Sequence, residues 1–240
     1  MKDCPLRSLE DAKPPEMKKL FAVVVLLLTA VTLYAQKDVT KFLGIPVDGS
    51  KSEMIRKLKE KGFRTDPFNE DVLRGEFNGE DSRIYIVENR GKVCRIMVAD
   101  VNLRSEGNIR IRYNNLCHQF ANNPNYLTFK DHTLPEDEDI SYEMTVHDKQ
   151  YQANYYQKTV LDTLAVREDF RSRLTAKYTE EQLADPTVEI NADIVQMYFT
   201  YTAEIMLKKL VWFTIYQDRG KYSISIYYDN QYNRSNGEDL

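Results

Sequence analysis

The chain has 240 residues, 33 Lys and Arg against 37 Asp and Glu, and a formal net charge of −4. A mildly acidic chain without a long basic run gives no electrostatic case for nucleic acid or for an anionic membrane face. With 42% hydrophobic and 29% charged residues it has the composition of a globular protein, not of a disordered one.

Residues 1–16 are polar, contain Pro14-Pro15 and show no periodicity. At Met17 a different pattern begins. Lys18 and Lys19 precede 16 uncharged residues, Leu20 to Ala35, the second half of which is diluted by Thr29, Thr32 and Tyr34. A membrane-spanning helix needs about 20 apolar residues. Two lysines, a shorter apolar run and a small residue at Ala35 are the three zones of a secretory signal peptide. The reading is therefore a signal at 17–35 cleaved before Gln36, with Met17 as the start and 1–16 as a gene-start artefact. It predicts an exported protein, periplasmic or secreted, with no membrane span after cleavage. Leaving out residues 1–35 removes five basic and four acidic residues, so the remaining 205 carry a net −5.

Ser50-Lys51-Ser52-Glu53 has the form of a capping box, and Met54, Ile55 and Leu58 follow at helical spacing up to Gly62. Strand patterns follow at 73–79, 82–89 and 92–100, the last two joined by a tight Asn89-Arg90-Gly91 turn. This predicts a helix and a three-stranded antiparallel meander. Residues 105–123 place Ile109, Tyr113, Leu116 and Phe120 on one helical face, although Ile109–Tyr113 also alternates like a strand. Residues 139–148 and 150–158 read as a hairpin, and 161–178 as a helix.

The first outline returns 129 residues later. Arg219-Gly220-Lys221 matches Arg90-Gly91-Lys92, Asp229 matches Asp100, and Thr179–Gln182 stands where Ser50–Glu53 stood. In this alignment 197–207 takes the place of the first strand. The expected fold is α+β: two helix-plus-antiparallel-meander units in tandem, with a helix/hairpin/helix segment between them. The division is 36–130 for the first unit and following helix, and 131–240 for the hairpin, helix and second unit.

The run FLGIPVDGSKSEMIRKLKEKGF, the strand KVCRIMV and the ending YYDNQYNRSNGEDL resemble exported Bacteroidetes-type proteins of unassigned function. The single unit is similar in outline to BamE-like and beta-lactamase-inhibitor-like envelope domains. The first resemblance brings no assigned activity, and the second, one of topology alone, implies protein binding across a sheet face.

Sites for chemistry are few. His118, His132 and His147 form no HExxH, and adjacent Cys117-His118 point about 100° apart on a helix, too divergent for one metal or a catalytic dyad. No Rossmann glycines, P-loop or GxSxG motif is present, so no cofactor is implied. The acidic run Glu136–Asp139 lacks the alternate spacing of a calcium loop and reads as a solvated loop. Cys94 and Cys117 leave two readings open. One is a disulfide, worth about 3 kcal/mol if both side chains enter one core; the other is two buried thiols. Among the aromatics, Tyr227, Tyr155 and Trp212 are the candidate binding residues. On 221–229 the exposed face would carry Ser223, Ser225 and Tyr227, leaving Tyr222, Ile224, Ile226 and Tyr228 for the core. The expected function is non-enzymatic binding of an envelope protein or glycan through a sheet face. The alternative is an exported hydrolase acting on peptide or glycan.

Overall fold

A computed structural model describes residues 38–159 and 163–234, so the signal-like run and the last six residues lie outside the described residues. Two short pieces, β1 (Lys41–Phe42) and β2 (Ile45–Pro46), pair with each other. Helix α1 (Lys51–Glu60) begins at Ser50, whose hydroxyl accepts from the Glu53 N–H, and turns inward with Met54 and Leu58. Next come β3 (Arg64–Asp66), β4 (Asn69–Phe77), β5 (Glu80–Asn89) and β6 (Lys92–Asp100), then α2 (Glu106–Asn122). After β7 (Tyr126–Leu127), α3 (Ile140–Val146) and β8 (Gln152–Gln157), three helices follow: α4 (Thr163–Thr175), α5 (Glu180–Ala184) and α6 (Val188–Leu207). The strands β9 (Leu210–Asp218) and β10 (Lys221–Asp229) complete the fold.

Eight strands form one antiparallel sheet in the order β3-β4-β5-β6-β10-β9-β8-β7. The class is α+β. Both hairpins form as the alternation requires, and both close through the same turn. Arg90 and Gly91 have φ of 51° and 74°, Arg219 and Gly220 of 48° and 73°. Two consecutive left-handed residues match the twist of the flanking strands, and glycine at the second place avoids the steric cost. The hairpins meet where β6 pairs with β10, Ile96 opposite Tyr228 and Val98 opposite Ile226.

Two expected strands are helical. Residues 197–207 form the second half of α6, not a first strand. Ile190, Ile194, Met197, Tyr201 and Ile205 recur at helical spacing, a pattern invisible when 197–207 is read alone. The third strand beside β9 is β8, which precedes the helices in sequence. The two hairpins share a turn conformation, but with 197–207 helical the expected pair of tandem helix-plus-meander units is not seen. Residues 139–148 are also not a hairpin arm: the Asp139 carboxylate accepts from the Tyr142 N–H at 2.8 Å and starts α3, leaving β8 without that partner.

One face of the sheet carries the core. Ile84, Ile96, Val98, Phe213, Ile224 and Ile226 meet Met54 and Leu58 of α1 and Ile109, Tyr113, Leu116 and Phe120 of α2. Each such side chain, fully buried, contributes about 1.5–3 kcal/mol. The chain leading to α1 is locked to the end of β10, where Thr40 Oγ1 donates to the Asp229 carbonyl and Asn230 Nδ2 to the Val47 carbonyl. That lock fixes the position of Asp229.

Candidate functional site on the uncovered sheet face

Side chains that alternate with the core residues point to the other face. Register puts Tyr85, Met97, Tyr227, Trp212 and Asn154 in one row across five strands. Beside it runs a row with Val87, Arg95 and Asp229. None of these residues belongs to the core cluster, and most are exposed or half-buried.

The centre of this face is built around one carboxylate. Asp229 is fully buried while the Arg95 side chain keeps 24% of its surface exposed. Arg95 donates to both Asp229 oxygens through Nε and Nη2, and Trp212 Nε1 donates to Oδ2 at 2.9 Å. Arg234 adds a second guanidinium at 3.5 Å. The Trp212 and Tyr227 rings stack 4.0 Å apart and nearly parallel, and the Arg95 guanidinium lies 5.0 Å from the Tyr227 centroid. A cation this close to two stacked rings gains cation–π attraction as well as its bidentate pair. Tyr216, half exposed, shares a 2.6 Å hydrogen bond with the Tyr227 hydroxyl. Burial, and then the bond to Tyr216, push the Tyr227 phenol above its ordinary range, and the Asp229 hydrogen bonds hold the proton on Arg95 more firmly. Arg95 therefore stays a cation and the Tyr227 phenol neutral throughout physiological pH.

Trp212 and Tyr227 thus come together. Tyr155 does not join them. It lies on the opposite face within the core, stacked 4.8 Å from Phe120, with its hydroxyl donating to the Cys117 carbonyl at 3.3 Å. The expected solvent exposure of Ser225 and Tyr227 is also corrected. Both are buried, because Trp212, Tyr216 and Arg95 close over the smaller neighbours; Tyr222, Ile224, Ile226 and Tyr228 are buried as the alternation requires. Sequence reasoning missed Arg95 and Asp229. A lone arginine inside the apolar run of β6 was the available signal, since a cation there needs a partner.

Cys94 and Cys117 are free, buried thiols, which excludes the bridge between them in this structure. A register shift explains it. Val87 pairs with Arg95 and Glu88 with Val93, so Cys94 is the extra residue of a bulge and leaves the face that carries Ile96 and Val98. Cys117 belongs to the core cluster and Cys94 does not. Burial pushes Cys117 up to about 11 and raises Cys94, so neither is poised as a nucleophile. Residues of the acidic run have structural roles: Glu138 bonds Lys149 and Tyr151, and Asp139 caps α3. His118 lines an open groove along α2 with Arg110, Ile111 and Glu136. Among the described residues no group of three or more His, Cys, Asp or Glu is placed to hold a metal ion, and no helix is long and apolar enough to cross a membrane.

No family model matches the chain, and no curated protein or solved structure matches it significantly.

Proposed function

We propose that this is an exported, non-enzymatic protein that binds another protein across the uncovered face of its sheet. The observation that carries the reading is the surface of Trp212, Arg95 and Tyr216, held in place by buried Tyr227 and Asp229. Tryptophan, tyrosine and arginine supply most binding energy at protein interfaces, because each offers large rigid area together with a polar handle. Here their rotamers are held before any partner arrives, by the stack, the bidentate pair and the Trp212 indole bond. Preorganisation of this kind lowers the entropy lost on association.

A protein partner suits the geometry better than a glycan. A sugar ring stacks on an open aromatic face, and Trp212 gives one of its faces to Tyr227. Around the cluster, Tyr85, Val87, Met97 and Tyr216 extend a mixed apolar rim, half-buried to exposed. Export rests on the 17–35 pattern; N-terminal sequencing of the protein recovered from cells is expected to begin near Gln36.

The binding reading is tested by crosslinked capture with wild-type protein and with Val87→Glu/Tyr216→Glu, both positions being exposed. A species recovered in proportion with wild type and lost with the variant supports it. Recovery of the same species by both forms would remove the sheet face from the account, and a glycan in place of a protein would revise the partner class.

A further inference from the structure

The helices between β8 and β9 are underpacked. Of the residues of α4, α5 and α6 whose side chains are described, only Tyr201 is buried. Ordering a residue costs about 1–2 kcal/mol of backbone entropy, and short helices gain most of their stability from packing an apolar face. The side of α6 turned toward α4 is accounted for. Tyr198 and Tyr201 meet Phe170 at 5.5 and 5.6 Å, Arg173 pairs with Glu204 at 2.9 Å and Lys177 with Asp193 at 2.7 Å.

The opposite side is not. At 100° per residue, Val188, Ala192, Val195, Phe199 and Ala203 fall within about 80° of the helix surface. All five are exposed, with Val188 at 81%, Val195 at 53% and Phe199 at 65%. No charged residue occurs between Asp193 and Glu204. This is a continuous apolar stripe of four to five turns, exposed among the described residues.

We propose that α6 pairs with α6 of a second copy of this chain, antiparallel about a two-fold axis between Val195 and Gln196. The stripe complements itself in that arrangement. Val195 meets its own symmetry mate, Phe199 of each copy falls opposite Ala192 of the other, and Val188 falls opposite Ala203. Large side chains face small ones on both sides of the axis, as an isologous contact requires. An antiparallel pair also opposes the helix dipoles, whereas a parallel pair aligns them. A 20-residue helix offers a face of about 30 Å by 10 Å, below the roughly 800 Å² per partner of a standard interface. The dimer is therefore of the weak, concentration-dependent class. It uses a surface separate from the Trp212 cluster and does not rest on the binding role proposed for the sheet.

Sedimentation across a dilution series tests it, using the protein as recovered from cells. Wild type is expected to move from one to two chains per particle. Phe199→Glu should raise the dissociation constant at least about tenfold, and Ala192→Phe should weaken pairing by placing two rings at one contact. The exchange Ala192→Phe/Phe199→Ala should restore it, because the large-to-small pairing is rebuilt. Val195→Cys gives a second reading without loss of the stripe: mild oxidation should link two chains through residue 195. A particle that stays a single chain at every concentration overturns the proposal. So does a dimer indifferent to Phe199→Glu, or one whose Val195→Cys form does not crosslink.

Discussion

Arg95→Met and Asp229→Asn should differ in cost although they cut the same ion pair. Arg95→Met leaves a fully buried carboxylate with one indole donor at 2.9 Å and the more distant Arg234 guanidinium at 3.5 Å. Removing one partner of a buried pair costs about 3–5 kcal/mol, and the lower end applies because Arg234 compensates in part. In Asp229→Asn the stranded group is Arg95, which already reaches solvent and can hydrate, while the amide oxygen still accepts one hydrogen bond. That loss is closer to about 1–2 kcal/mol, the scale of a hydrogen bond to a charged group. Urea unfolding with an unchanged m value measures both. In a scan of a chain this size, Arg95→Met should lower Tm by roughly 10 °C. The double variant should cost less than the sum of the two, since each single change exposes the other's unpaired charge. Equal single costs, or additivity, would refute the view that Asp229 is the anchor of the cluster.

Three other changes test separate parts of the structure. A Cβ at Gly75 would stand 2.5 Å from Phe63 Cδ1, and Phe63 is packed in the core; Gly75→Ala should cost about 1–3 kcal/mol as overpacking, and Phe63→Leu in the same chain should recover part of it. Cys94 and Cys117 should resist maleimide in the native state with little acceleration from pH 7 to 9, because burial holds both thiols protonated; peptide-level mass spectrometry showing native labelling at either would contradict their placement. His132 accepts from the Asn154 N–H at 3.3 Å through Nε2, and burial, with Lys130 as a smaller cause, lowers its pKa from 6.5. The unfolded chain therefore binds this proton more readily than the folded one, so stability falls as pH drops below about 6.5. His132→Gln should flatten that part of the pH–Tm curve, and an unchanged slope would assign it elsewhere.

The parts of this fold that sequence makes legible are the local ones. Alternation in 82–100 and 211–229, together with the two Arg-Gly turns, specifies both hairpins and their buried faces. Ser50 and the 109/113/116/120 spacing specify α1 and α2. Residues 197–207 were misread because β-branched and aromatic residues favour strands, whereas the helical period became visible only from Ile190 onward. At 139–148 the decisive group was the Asp139 cap, which alternation does not register. The site was half legible. Tyr227 and Trp212 were identifiable as strand aromatics, but their pairing depends on β9–β10 register and on which face each occupies. The same dependence moved Tyr155 into the core. Arg95 joins Asp229 across 134 residues of chain, and no local pattern encodes that contact. The bulge that turns Cys94 away from Cys117 is equally nonlocal, being a property of how β6 meets β5.

On the binding role proposed above, a partner protein sits on the uncovered sheet face. Photo-crosslinking in expressing cells addresses it directly, with the reactive side chain placed at Tyr216 on that face or at Lys59 on the exposed side of α1. A discrete protein adduct is expected from position 216, lost in Arg95→Met, and none from position 59. An adduct from position 59 alone, or none from 216, would contradict that role.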